Sequence, residues 1–148
     1  MTQPRVDLDT SIGYALKQAA AALRAAMETA LRPLDLTVSQ YSCLELLGQR
    51  PGLSAAALAR GTFVTRQSMQ TLVQGLLDRG LLERAAEAPE GRALPTRLTD
   101  EGTRLLADAS AVVAAVERAM VADLAPAGQR RLHADLVALA AALADRSS

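Results

Sequence analysis

Between Thr65 and Gln74 the chain places Arg66, Gln67, Gln70, Thr71 and Gln74 on one side of a helical repeat, with Met69, Leu72 and Val73 on the other. Arg and Gln are side chains that can read base edges: Arg pairs with O6 and N7 of guanine, Gln with N6 and N7 of adenine. Thr65 and Ser68 could hold phosphates through their hydroxyls and the helix N-terminus, and Ser54, which starts the preceding short helix, is grouped with them. From Arg60 to Gln74 there are two Arg and no Asp or Glu, in a chain whose formal net charge is zero. Taken alone, these polar residues would also suit a solvated helix face. Their flanks separate the two readings.

The flanks are ordered elements. A first helix begins after Asp9-Thr10-Ser11, carries the apolar stripe Ile12, Leu16, Ala19, Leu23, Met27, Ala30 and Leu31, and is closed by Pro33. A second follows Thr37 with Val38, Tyr41, Leu44 and Leu47 inward, ending near Gly48 before the turn Arg50-Pro51-Gly52. Ser54 caps a short helix that stops at Gly61, and Thr65 caps the polar-faced helix, which ends at Asp78 before Gly80. Leu81-Leu82-Glu83-Arg84 and Thr96-Arg97-Leu98 make a small hairpin with its tip near Gly91. Thr99 caps a long helix lined by Leu105, Leu106, Ala109, Val112, Val113, Val116 and Met120, ending near Asp123. Pro126 opens the last helix, with Leu132, Leu136, Leu139 and Leu143 along one edge.

Short helix, turn and capped second helix is the arrangement that lays a helix in the major groove, while a following hairpin can set an Arg in the adjacent minor groove. The fold class is therefore mainly α with a small β-hairpin wing: a winged helix-turn-helix in a single domain spanning 1–148. The lobe covers about 37–102; helices over about 10–33 and 103–146 hold more apolar positions than one chain needs and form a dimerisation region.

The segments Leu53-Ser54-Ala55-Ala56-Ala57-Leu58-Ala59, Val64-Thr65-Arg66-Gln67-Ser68-Met69 and Leu76-Leu77-Asp78-Arg79-Gly80-Leu81-Leu82 resemble the helix-turn-helix of MarR-family regulators. Leu98-Thr99-Asp100-Glu101-Gly102 is similar to that family's exit from the wing, and Leu34 to Tyr41 to its approach to the second helix. The resemblance implies a homodimeric, sequence-specific repressor of transcription, released by a small phenolic or otherwise aromatic molecule. It implies a wing-tip Arg after an acidic residue, which in Glu90-Gly91-Arg92 is Arg92. It also places an effector between the dimer helices and the lobe, for which Tyr14, Met27, Tyr41 and Cys43 are candidates, although each also suits ordinary core. A two-fold dimer would present two recognition helices to a pseudo-palindromic operator, with half-sites ~10 base pairs apart or a multiple. The family's peroxide-sensing branch has a cysteine near the start of the first helix; this chain has none there.

Composition bounds the alternatives. Half the residues are hydrophobic and two per cent aromatic, which favours helix over sheet. Fifteen of the sixteen basic residues are Arg, a bias that suits bidentate contacts and that GC-rich coding would equally produce. One Cys and one His exclude an intramolecular disulfide and leave no multi-ligand metal site, so no metal and no cofactor are expected. With no glycine-rich phosphate loop and scattered acids, an enzyme has no supporting cluster. No secretory signal opens the chain and no apolar run would span a membrane, so a cytoplasmic protein is expected. The alternative reading is a helical protein-interaction module on the same scaffold without DNA binding. Seven Arg against six acids from Arg60 to Arg104, a surplus of one, keeps it open.

Overall fold

The computed structural model describes residues 4–84 and 96–146. In chain order the elements are α1 (Ile12–Leu31), a 3-10 turn (Arg32–Leu34), α2 (Val38–Gln49), α3 (Ala55–Thr62) and α4 (Arg66–Asp78). Strands β1 (Leu82–Arg84) and β2 (Thr96–Leu98) follow, then α5 (Asp100–Met120) and α6 (Pro126–Arg146).

Five helices start on a hydroxyl that accepts a backbone N–H. Ser11, Thr37, Ser54 and Thr65 each accept at 3.1 Å, and Thr99 at 3.0 Å. A cap of this kind contributes about 1 kcal/mol, and it sets where the helix begins. At α2 the cap is reciprocal, since Gln40 Oε1 accepts from the Thr37 N–H at 2.9 Å.

The helix ends differ from expectation in three places. Helix α1 stops at Leu31, and Pro33 lies inside the 3-10 turn that ends on left-handed Asp35 (φ 55°). Helix α3 runs through Gly61 to Thr62 and is ended by Phe63 in the left-handed region (φ 60°). Gly61 is instead a point of close approach, where an added Cβ would meet the Leu46 side chain of α2. Helix α5 ends at Met120 rather than near Asp123, and Gln129 Nε2 donates to the carbonyls of Val121 and Leu124 across the turn to α6.

The core gathers Leu31 of α1, Cys43, Leu44 and Leu47 of α2, Leu58 of α3, Met69, Val73 and Leu76 of α4, Leu81, Leu82, and Ala109 and Val113 of α5. Burying each large apolar side chain stabilises by roughly 1.5–3 kcal/mol, which fixes α4 on α2 and α3 by its inner face. The strands pair antiparallel, Leu82 with Leu98, Glu83 with Arg97 and Arg84 with Thr96. Gly80 (φ 75°) turns the chain out of α4, with Leu81 N–H donating to Leu76 O at 3.0 Å. Gly102 then lets α5 start against that turn, because a Cβ there would strike the Leu81 carbonyl.

Helix α6 buries no residue. Leu132, Leu136, Val137 and Leu139 are exposed along it, as are Ile12, Tyr14 and Leu16 on α1. These apolar stripes lie uncovered within a single chain. No helix among the described residues is long and apolar enough to cross a membrane.

Candidate nucleic-acid interface

Packing decides what α4 shows to solvent. With Met69, Val73 and Leu76 inward, the opposite face presents Arg66, Gln67, Gln70, Thr71 and Gln74, all exposed. Thr65 and Ser68 are exposed at the first turn, and Ser54 at the first turn of α3. The structure therefore brings six of the eight residues expected to meet nucleic acid onto the start and outer face of one helix. Ser54 stands on the helix packed beside it. The eighth, Arg92, lies outside the described residues, as do Glu90 and Gly91.

Hydrogen bonding sorts these side chains further. Thr65 Oγ1 accepts the Ser68 N–H at 3.1 Å and donates to Ser68 Oγ at 2.9 Å, so its proton is committed within the cap. Ser68 keeps its own O–H for an outside acceptor such as a phosphate. Ser54 Oγ accepts from Ala57 N–H and likewise keeps its proton. Thr71 Oγ1 leans on Gln67 O at 3.4 Å, and Gln74 Nε2 donates to Asp78 Oδ1 at 2.9 Å. Among the described residues Arg66, Gln67 and Gln70 have no such intramolecular side-chain partner, which leaves their donors and acceptors for a ligand.

Along the chain, the stretch leading through this face carries charge of one sign. No Asp or Glu occurs from Leu46 to Leu77, while Arg50, Arg60 and Arg66 do. That stretch is longer than the Arg60 to Gln74 segment singled out from the sequence. At the hairpin the balance differs, since Arg97 Nε meets Glu83 Oε1 at 2.9 Å across the strands and is paired there. Arg84 pairs with Thr96 through the backbone and stays exposed.

The four residues expected to line an effector crevice differ in exposure within the single chain. Tyr14 is 40% exposed on α1, Met27 and Tyr41 are half-buried against the core, and Cys43 is wholly buried. Burial pushes the Cys43 thiol up to about 11, so the thiolate needed for sensing chemistry is suppressed. Tyr41 is raised, first by burial and then by the neighbouring Glu45 carboxylate, with Ser110 opposing. Two open grooves lie elsewhere. One of about 330 Å³ is lined by Leu34, Arg79, Leu81, Glu101, Arg104 and Leu105, with Asp108. The other, about 460 Å³, is bounded by Glu28, Arg32, Asp35, Thr37, Gln40 and Arg79. Arg79 stands between them and donates from Nη1 to Asp35 O at 2.9 Å. Among the described residues no group of three His, Cys, Asp or Glu could hold a metal ion.

Reasoning from sequence passed over three positions that shape this region. Gln40 had a readable signal, the Thr-x-x-Gln spacing of a capping box. Glu45, which accepts from Tyr41, Gln49 and Ser110, had none, because Ser110 is 65 residues away. Phe63 had only its place in the turn.

The comparisons with known proteins agree with this geometry. A model of the MarR family matches residues 34–93. The HTH-type transcriptional repressor Rv2887 of Mycobacterium tuberculosis is 43% identical over 122 residues, covering 82% of this chain and 88% of the relative. The solved structure of Rv2887 in complex with DNA superimposes with a TM-score of 0.73 at 39% identity, over 88% of this chain and 98% of that one. Rv2887 in complex with salicylic acid gives 0.74 at 41% identity, over 88% and 97%. The transcriptional repressor CouR bound to a 23-mer DNA duplex gives 0.81 at 27% identity, over 93% and 99%.

Proposed function

The chain belongs to the MarR family, and on that premise we propose that it is a homodimeric transcriptional repressor that binds a pseudo-palindromic DNA operator and is released by a small aromatic acid. The observation that carries the DNA reading is the outer face of α4, where Arg66, Gln67 and Gln70 have no intramolecular side-chain partner among the described residues and lie in an acid-free stretch of sequence. Arg66 takes guanine O6 and N7, Gln67 and Gln70 take adenine edges, and Ser68 and Ser54 donate to flanking phosphates. Thr65 acts by holding the helix N-terminus in shape, and Thr71 flanks the base-reading row. Arg92 enters the minor groove from the wing.

The lobe over about 37–102 does this work, and the helices over about 10–33 and 103–146 join two copies. Support comes from the uncovered apolar edges of α1 and α6, which a second copy would bury. Repression follows from occupying the operator, and release follows when an effector favours a lobe spacing that no longer fits two successive major grooves. Salicylic acid, bound by Rv2887, is the chemistry to try first. Such a protein works where the chromosome is, which in a bacterium is the cytoplasm.

Footprinting on the DNA upstream of the chain's own coding region tests this reading. A two-fold symmetric protected site that is lost on adding salicylate supports it. Protection of no site, with or without effector, returns the chain to the interaction-module alternative.

A further inference from the structure

We propose that Phe63 is a base-reading residue, its ring meeting the 5-methyl group of a thymine in the major groove beside the bases that α4 contacts. The proposal rests on the DNA-binding reading above. Phe63 is the chain's one phenylalanine and, at 94% exposure, its most exposed large hydrophobic side chain among the described residues. It is also held at φ 60°, ψ 38°, a conformation in which a bulky residue is strained.

Folding explains the backbone at this position but not the ring. The left-handed residue ends α3, with the Phe63 N–H reaching the carbonyls of Ala59 and Arg60. Gly or Asn would do the same with less strain. The inward residue of the turn is its neighbour, half-buried Val64, which packs on the core. The other strongly exposed apolar side chains lie on the N-terminal segment before α1, or on α1 and α5 to α6, the helices assigned to dimerisation. Phe63 is separate from them, on the turn that leads into the α4 cap.

Its surroundings select the occupant. Arg60 and Arg66 lie three residues to either side, and no acid occurs between Leu46 and Leu77. An exposed apolar ring on the turn into α4, flanked in sequence by two cations, fits a polyanion that carries apolar groups. The thymine 5-methyl is the apolar group that duplex DNA exposes in the major groove, and Phe is among the side chains suited to it.

The test uses the full-length protein and duplexes that the wild type enriches from a randomised DNA pool. Each thymine is then replaced singly by deoxyuridine, which removes only the methyl. Phe63→Gly keeps the left-handed cap, so its melting temperature should equal or exceed the wild-type value, while its affinity falls about tenfold or more. At one symmetry-related pair of positions, deoxyuridine should weaken the wild type about fourfold per methyl and leave Phe63→Gly unaffected. Equal affinity of Phe63→Gly and wild type overturns the proposal. So does a weaker variant that no deoxyuridine position distinguishes from wild type, which would put the ring on the sugar-phosphate backbone. A melting temperature lowered by Phe63→Gly also overturns it, because the ring would then belong to the fold. Enrichment of no duplex by the wild type overturns the DNA-binding reading as well.

Discussion

Ser110 Oγ donates a hydrogen bond to Glu45 Oε2 at 2.6 Å, joining α2 of the DNA-binding lobe to the long helix α5. The same carboxylate accepts from Tyr41 Oη at 3.1 Å and from Gln49 Nε2 at 2.6 Å. Burial pushes the Glu45 carboxyl up, and the three hydrogen bonds more than offset this, so it titrates below its ordinary 4.5. A group depressed in the folded state stabilises above its unfolded value, and the contribution disappears as pH falls through the lowered one. Glu45→Gln is expected to cost roughly 1–2 kcal/mol at pH 7 and less at pH 3. Denaturant unfolding at the two pH values measures the difference; an equal cost at both would mean the charge is not what α5 is tied to.

Cys43 is buried with its thiol held near 11, so it should behave as a small apolar core residue. Labelling of the native protein at pH 8 by an aromatic disulfide should be slow and should accelerate on unfolding. Peroxide should leave DNA affinity unchanged. Rapid native labelling together with peroxide-dependent release from DNA would make this thiol a sensor after all.

Gly102 is the position where α5 passes the turn after α4, and an added Cβ would collide with the Leu81 carbonyl oxygen and stand 3.0 Å from its carbon. In an open helix Gly→Ala gains about 1 kcal/mol. Here the obstacle is backbone whose Leu81 O also accepts from Thr99 N–H, so overpacking should win. Gly102→Ala is expected to destabilise by about 1–3 kcal/mol. Unchanged or raised stability in thermal unfolding would show that the turn can move aside.

The proposed base contact of Arg66 and the proposed wing contact of Arg92 make separable predictions. Arg66→Ala should cost roughly 1–3 kcal/mol on the preferred operator and little on unrelated DNA, which flattens the preference. Arg92→Ala should weaken binding to all sequences and leave the major-groove preference in place. Competition binding with operator and scrambled duplexes distinguishes them, and unchanged affinity for Arg92→Ala would remove the wing from the contact.

Much of this was legible in the chain, for reasons that differ by residue. Ser54, Thr65 and Thr99 announce helix starts because capping is local chemistry, written within three residues. The α4 face was legible because Met69, Val73 and Leu76 fix its rotation by period alone. Gly61 misled because a glycine near a helix end suggests a stop, whereas here it serves contact with Leu46 and the stop fell to Phe63. Gly102 stood in a familiar segment, yet its reason required Leu81 to be brought against it from 21 positions earlier. The Glu45 junction depends on Ser110 in the same way. Tyr14, Met27, Tyr41 and Cys43 came from the family resemblance and residue type, and type did not tell wholly buried Cys43 from exposed Tyr14.

The central claim is that α4 binds duplex DNA against its phosphates, and the most direct measurement is affinity as a function of salt. Binding to the chain's own upstream DNA, followed from 50 to 200 mM salt, should weaken by about 10³–10⁵-fold if some 6–10 phosphates are neutralised by the dimer. Arg66→Ala should lower the affinity at every salt concentration. No retained complex even at the lowest salt would contradict the account.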